Sequence, residues 1–211
     1  MLVTIKLSIC LYAEKRNYMN TNTSKKTFLL VEGALMIAMA FVLSYVKLYD
    51  MPMGGSITLE MIPLVIMGLR HGVKWGTFTA AVHGIIQLII GFSNVMYCAT
   101  IPAMIGCVLL DYLFAFTVLG LAGLFLPLFK NKLIGAAVGT AICGALRFLC
   151  SFLSGWLLWG SYAPEGWSVA YYSFIYNGSY MLPNIIIGVI VILIIGKTAP
   201  GFLFQKREND R

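Results

Sequence analysis

The stretch from Ile101 to Phe129 has the sequence IPAMIGCVLLDYLFAFTVLGLAGLFLPLF, in which Asp111 is the one charged residue. A helix of about 20 apolar residues crosses the hydrocarbon core of a bilayer, so this stretch is long enough to span it. A carboxylate at the centre of such a helix costs on the order of 3 kcal/mol by insertion scales. The stretch therefore predicts a transmembrane helix in which Asp111 has either a structural partner or a ligand.

The remainder of the chain has the composition of a membrane protein. Of its 211 residues, 60% are hydrophobic and only 11% are charged, whereas a soluble domain has roughly a quarter of its residues charged. The mean hydropathy is +0.87. We therefore predict a multi-pass membrane protein that forms one bundle and carries no large soluble domain.

Five further apolar segments accompany the first, at Thr27–Val46, Ile57–Leu69, Gly76–Ile90, Leu133–Trp159 and Val169–Ile195. The segment at Ile57–Leu69 is short and follows a Pro/Gly-rich loop, residues 51–56. We expect this loop either to dip into the bundle or to lie on the surface. The pattern predicts an all-α fold, an integral membrane bundle of six transmembrane helices over residues 27–197.

Lysine and arginine residues predict the orientation, because they are enriched on the cytoplasmic side. They occupy every second gap between the spans, as Lys25, Lys26, Arg70, Lys74, Lys130, Lys132 and Lys197. The alternate gaps contain only Lys47, together with Asp50 and Glu165. Both termini are therefore predicted to be cytoplasmic, and residues 198–211 form a polar tail there. This arrangement accounts for the net charge of +7 without nucleic-acid binding.

Residues 1–26 are predicted to be an N-terminal extension that is either not native or disordered. The segment Leu2–Ala13 is apolar but is interrupted by Lys6 and is too short to span. It also lacks the basic start and the clear cleavage site of a signal peptide. We expect residues 1–18 to be either a start assigned too early or a surface segment.

The predicted orientation brings five polar or aromatic residues to the outer half of the bundle. These are Asp111, Ser151, Trp159, Tyr172 and Asn177. A carboxylate and aromatic faces both attract cations, and the attraction to an aromatic face is strongest where water is excluded. The convergence predicts an outward-facing pocket for a small organic cation.

Other interpretations of these residues remain open. Asp111 could be the structural partner of Arg147, the one charge inside the fifth span. Trp159 and Tyr172 could belong to the belt of aromatic residues at the membrane interface. Asn177 could form a hydrogen bond between helices.

Five further residues have open roles. His83 and Gln87 lie one helical turn apart, where they could bond across helices or reach the floor of the pocket. Ala34 and Ala38 have the small-xxx-small spacing that lets another helix approach closely, either a partner's helix or one in the same bundle. Glu60 is expected to be wetted, bonded to a neighbour, or both.

Several sequence motifs are missing. The chain has no GxxxxGK[ST] loop for ATP and no HExxH or GxSxG signature of hydrolases. Its five cysteines have no metal-ligand spacing, and we interpret them as small apolar residues. We predict no catalytic residue, no metal and no cofactor, and a subunit that takes energy from a partner.

The chain resembles the substrate-binding (S) component of energy-coupling factor transporters, of the thiamine-specific type. The resemblance extends from about Thr27 to Ile195 and rests on six segments. They are MPMGGSITLE (51–60), LRHG (69–72), LDY (110–112), LGLAGLF (119–125), SYAPEGW (161–167) and YNGSY (176–180). The resemblance implies a six-helix component of the bacterial plasma membrane that binds a thiamine-like molecule. It also implies that this component docks on a transmembrane coupling subunit and two ATPase subunits.

The resemblance also implies roles for individual residues. The docking motif matches Ala34 and Ala38, and the pocket residues match Asp111, Tyr112, Trp159, Tyr172 and Asn177. Aspartate stands here where relatives often carry glutamate, and Ser151 stands where they commonly carry histidine. Relatives also place pocket tryptophans at the positions of His83 and Pro164. We therefore include Ser151 and His83 with the five pocket matches, which gives seven predicted substrate-binding residues.

These departures leave the ligand open between thiamine and a close relative such as a precursor or an analogue. A different small aromatic or cationic nutrient is an alternative ligand for an S component. A second class of function is a small membrane enzyme acting on a lipid, with Asp111, His83 and Arg147 as an acid–base set. A third is a structural or regulatory membrane subunit.

Overall fold

The computed structural model describes residues 26–52 and 54–204. The predicted extension, apart from Lys26, and the end of the predicted tail at 205–211 lie outside the described residues. Contacts divide the chain into two units, residues 1–35 and 36–211. The described part of the first unit, residues 26–35, is helical, and the second unit contains the elements that form the site.

Five long apolar helices form most of the described chain. They are α1 (Lys26–Tyr45), α3 (Val73–Ile90), α5 (Ile101–Leu128), α6 (Lys132–Leu157) and α7 (Val169–Thr198). Each begins within about three residues of its predicted segment, because hydropathy and charge are local properties of the sequence. The prediction of a helical membrane bundle is confirmed. Short helices α4 (Phe92–Met96) and α8 (Pro200–Leu203) flank α3 and α7.

The second predicted span begins later than its hydropathy suggested. Helix α2 covers Met61–His71, a length of about 16 Å at 1.5 Å per residue. Two two-residue strands precede it, β1 (Tyr49–Asp50) and β2 (Ser56–Ile57), and they pair antiparallel. The turn of this hairpin contains Gly54 and Gly55 with φ of +91° and +87°, a conformation that glycine adopts without steric cost.

Helix α5 changes its winding along its length. It is α-helical to Cys107, a wider π-helix over Val108–Phe114, and a tight 3₁₀-helix over Val118–Leu128. Short π-helical turns inside α-helices are frequent at functional sites. Here the widened turn contains Asp111, the charge that marked this stretch in the sequence.

Glycines allow α2, α3 and α5 to approach one another closely. A Cβ atom on Gly120 of α5 would collide with the backbone of Gly76 in α3, and one on Gly68 of α2 would collide with Gly120. A cluster of buried apolar side chains on α2, α5 and α7 includes Leu64, Val65, Met67, Leu119 and Ile192. Gly68, Gly76 and Gly120 do not line the cavity beside the hairpin.

Candidate substrate-binding site

A cavity of about 750 Å³ opens beside the hairpin and extends between α3, α5, α6 and α7. Pockets for small organic ligands usually measure about 300–1,000 Å³. Six of the seven residues predicted to bind substrate line it: Asp111, Tyr112, Ser151, Trp159, Tyr172 and Asn177. The packing of the helices therefore brings together residues that lie as far as 66 positions apart (177 − 111) in the sequence.

Asp111 is held by neutral donors from two helices and a loop. Its Oδ2 accepts hydrogen bonds from Ser154 Oγ at 2.7 Å, from Cys107 Sγ at 3.3 Å and from Trp159 Nε1 at 3.4 Å. None of the described residues forms an ion pair with it. The carboxyl group is therefore hydrogen-bonded through one oxygen, and no cation among the described residues is paired with it.

Tyr112, the next residue, joins the π-helical segment to the end of α3. Its hydroxyl donates to the carbonyl oxygen of Gly91 at 2.9 Å and accepts from Asn94 Nδ2 at 3.4 Å. A Cβ atom on Gly91 would lie 2.5 Å from that hydroxyl, so the contact requires glycine there. Tyr112 thus fixes the register of α5 against α3 next to Asp111.

A second carboxylate, Glu60, lies at another part of the cavity wall. Its Oε1 is 2.6 Å from Arg147 Nη2, and its Oε2 accepts from Gln87 Nε2 at 3.1 Å. The guanidinium of Arg147 lies over the Phe116 ring, 4.3 Å from its centroid. The interpretation of Asp111 as the partner of Arg147 is therefore wrong, because Glu60 takes that place.

His83 lies behind the cavity wall. Its side chain is completely buried and is not part of the lining. Its Nε2 is 3.9 Å from Glu60 Oε2, and its ring packs edge-on against Phe116 at 5.0 Å. His83 and Arg147 are both associated with Glu60 and not with Asp111, so the structure does not assemble the acid–base set considered for a lipid enzyme.

Helix α7 contributes a row of tyrosines that the sequence analysis recognised only in part. The rings of Tyr172, Tyr176 and Tyr180 follow each other with centroid distances of 5.6 and 6.3 Å. Tyr180 donates to Asn177 Oδ1 at 2.7 Å, and Asn177 Nδ2 donates to the carbonyl oxygen of Ser173 at 2.9 Å. The i, i+4, i+8 spacing of the tyrosines is the signal that would have identified Tyr176 and Tyr180.

The hairpin is seated on the same helix. Tyr176 donates to the carbonyl oxygen of Gly54 at 3.0 Å, and the Tyr180 ring packs so closely that a Cβ on Gly55 would lie 2.6 Å from it. Asn184 accepts from the Thr58 amide at 2.9 Å and donates to the carbonyl oxygen of Ser56 at 3.0 Å. Gly54, Gly55 and Ser56 line the cavity, so this loop is part of the site's wall.

Comparison with known proteins identifies the family. The family model described as thiamine transporter protein (Thia_YuaJ) matches residues 30–204. The chain belongs to this thiamine transporter protein family. Like the family's other members it is a multi-pass protein of the bacterial cell membrane.

Individual relatives cover nearly the whole of the described chain. The thiamine transporter ThiT of Bacillus subtilis is 37% identical over 193 residues, which is 86% of this chain and 97% of that protein. ThiT of Lacticaseibacillus paracasei is 28% identical over 194 residues, 86% of this chain and 93% of that protein. The solved structure of ThiT from Listeria monocytogenes superposes with a TM-score of 0.71 at 27% identity, covering 85% of this chain and 99% of that one.

The two residues predicted to dock on a partner lie on α1. Ala34 and Ala38, predicted to contact a partner, are both exposed. No partner chain tests this prediction, and it stays a proposal below.

Proposed function

We propose that this chain captures thiamine or a close relative in the cavity beside the hairpin and passes it into the cell as the substrate-binding subunit of an ATP-driven importer. The observation that carries the proposal is the charge of the cavity wall. Glu60 is paired with Arg147, whereas Asp111 has only neutral donors. Lys47, the other charged lining residue, is paired with Asp50 at 2.8 Å. Asp111 is therefore the one charged group of the described lining without a partner of opposite charge, which suits a ligand with one positive charge.

Thiamine has the groups that such a wall would bind. Its thiazolium ring is a cation, and a cation over an aromatic face gains about 2 kcal/mol when water is excluded. Trp159, whose indole N–H donates to Asp111, and Tyr172, elsewhere in the lining, supply such faces. The flat aminopyrimidine both donates and accepts hydrogen bonds, as does the side-chain amide of Asn177. The names of the relatives support thiamine as the ligand.

Two features support the importer role, the missing ATP-binding motif and the exposed small residues of α1. The sequence contains no GxxxxGK[ST] motif for ATP, so we propose that ATPase subunits supply the energy through a transmembrane coupling subunit. Ala34 and Ala38 lie exposed on α1, and their small side chains suit close packing against that subunit.

We propose that the hairpin is the gate on the outer side. The charge pattern of the loops supports the orientation, since Lys47 is the only lysine or arginine in the gaps at this end of the bundle. Met51 Sδ lies 3.9 Å from Ser179 Oγ on α7. Cysteines at these two positions, joined by a short thiol-specific cross-linker, should trap bound thiamine. Unchanged release from the cross-linked protein would contradict the gate, and the wild-type chain treated with the same reagent is the control.

A binding screen with the purified full chain tests the function. Thiamine, its phosphates and its two ring halves are titrated while tryptophan fluorescence and calorimetric heat are recorded. We expect saturable quenching by thiamine, because an aromatic cation next to Trp159 quenches its indole. In Trp159→Phe the quenching should disappear while calorimetry still detects binding. Absence of saturable heat with thiamine and with both ring halves would overturn the proposed function.

A further inference from the structure

The two oxygens of the Asp111 carboxylate have different surroundings. Oδ2 receives all three hydrogen bonds, from Cys107, Ser154 and Trp159. Oδ1 has no hydrogen-bond partner among the described residues, and it does not belong to the buried atoms that lack one. Because Asp111 lines the cavity, Oδ1 is the oxygen that the cavity can reach.

The three donors come from separate parts of the fold. Cys107 precedes Asp111 by one helical turn on α5, Ser154 lies on α6, and Trp159 lies just after the end of α6. A carboxylate oxygen has about two lone pairs to offer, so three donors occupy Oδ2 and leave it nothing for a ligand. Donors that converge from three directions also fix the plane of the carboxylate.

We propose that Cys107 and Ser154 are positioning residues that set the cavity's preference for a cation, by turning Asp111 so that Oδ1 alone meets the ligand. Trp159 adds a third donor and is also a ring beside the ligand, so its two roles cannot be separated by one substitution. The inference rests on the proposed function, because it concerns the same cavity and the same cationic ligand.

Ser154 and Cys107 should contribute unequally. The Ser154 bond is short at 2.7 Å, and hydrogen bonds to a charged acceptor at this distance are among the strong ones. The Cys107 thiol is a weaker donor at 3.3 Å. Removing Ser154 should therefore loosen the carboxylate more than removing Cys107.

The test measures selectivity for charge in the purified full chain. The probes are thiamine and 3-deazathiamine, in which an uncharged thiophene replaces the thiazolium ring. We expect Ser154→Ala to lower the affinity for thiamine about tenfold and Cys107→Ala about threefold, as for loss of a strong and a weak bond to a charged group. The affinity for 3-deazathiamine should change much less, so the ratio of the two affinities falls.

Conservative variants and a matched control separate positioning from damage to the fold. Ser154→Thr and Cys107→Ser keep a donor and should restore most of the ratio. Cys143→Ala removes another buried thiol on α6, in the apolar core away from the cavity, and should leave both affinities unchanged. Parallel losses for both probes in Ser154→Ala, or no rescue by Ser154→Thr, would overturn the positioning role.

The outcomes distinguish this inference from the proposed function. If the wild-type chain binds neither probe, the proposed function fails. If the wild type binds thiamine and the ratio stays the same in Ser154→Ala and Cys107→Ala, the function stands and the positioning role is rejected.

Discussion

The cavity wall contains two carboxylates, and their surroundings differ in one respect. Glu60 is bound by the guanidinium of Arg147 at 2.6 Å and by the amide of Gln87. Asp111 is bound by a hydroxyl, a thiol and an indole N–H, all uncharged. We call the first the paired centre and the second the unpaired centre.

The difference suits the two carboxylates to different tasks, structure at Glu60 and, under the proposed function, binding at Asp111. At the paired centre the protein supplies its own cation, so the carboxylate and guanidinium together add no net charge to the wall. At the unpaired centre neutral donors orient the carboxylate without cancelling its charge. A ligand cation can then lie beside Asp111 in the way that Arg147 lies beside Glu60.

Breaking the paired centre should have the largest effect on stability. Arg147→Met replaces the guanidinium by an apolar side chain of similar length and leaves Glu60 buried without its cation. Removal of one partner of a buried pair costs about 3–5 kcal/mol. We expect the free energy of unfolding, measured by titration with SDS, to fall by this amount.

The double variant Arg147→Met with Glu60→Gln is the control for that experiment. It removes the uncompensated charge together with its partner, so most of the lost stability should return. If Arg147→Met unfolds at the same SDS concentration as the wild type, the paired centre has no structural role.

At the unpaired centre the main effect should be on affinity. Asp111→Asn keeps the shape of the side chain and removes its charge. We expect binding of thiamine to weaken by about 2–3 kcal/mol, or roughly 30–150-fold, because the desolvated cation loses its counter-charge. Calorimetry measures this loss, and the free energy of unfolding should change by less than about 1 kcal/mol.

The opposite result would reverse the assignment of the two centres. If Asp111→Asn bound thiamine as tightly as the wild type but unfolded more easily, the acid would be structural. Glu60→Gln, tested in parallel, should show the larger loss of stability of the two single variants.

The smallest effect is expected from a neutral donor at the paired centre. Gln87→Leu removes the hydrogen bond to Glu60 Oε2 but leaves the ion pair with Arg147. We expect a loss of about 1–2 kcal/mol in unfolding free energy, as for one hydrogen bond to a charged group. If Gln87→Leu lost as much unfolding free energy as Arg147→Met, the amide and not the guanidinium would hold Glu60. Gln87→Met, which has an unbranched and flexible side chain like that of glutamine, is the matched control.

Six of the seven predicted substrate-binding residues line the cavity, but the arrangement of their partners was not predictable. Asp111, Ser151, Trp159, Tyr172 and Asn177 stood out because the charge pattern placed them at one end of the bundle. Their convergence at one cavity is what the structure adds. His83 was also predicted to contact the ligand, but its side chain lies behind the cavity wall. The sequence of a single helix does not show which of its faces borders a cavity.

Two features escaped the sequence analysis because they depend on packing across the bundle. The strand pair before α2 forms where Asn184, 128 residues after Ser56, binds its backbone. The tyrosine row on α7 becomes a wall of the cavity because the hairpin turn, with Gly55, lies against Tyr180. The spacing of the tyrosines is visible in the sequence, but the contacts of Asn184 and Tyr180 with the hairpin have no local signature there.

The sequence by itself determined the membrane spans and the presence of a buried acid, because hydrophobicity and charge act over a single helix. Only the tertiary structure decided which acid has a protein cation. Glu60 and Arg147 are 87 residues apart, and whether they meet depends on how α3, α5 and α6 pack beside the start of α2. Electrostatic pairing falls off over a few ångströms, so small differences in that packing determine which carboxylate remains for a ligand.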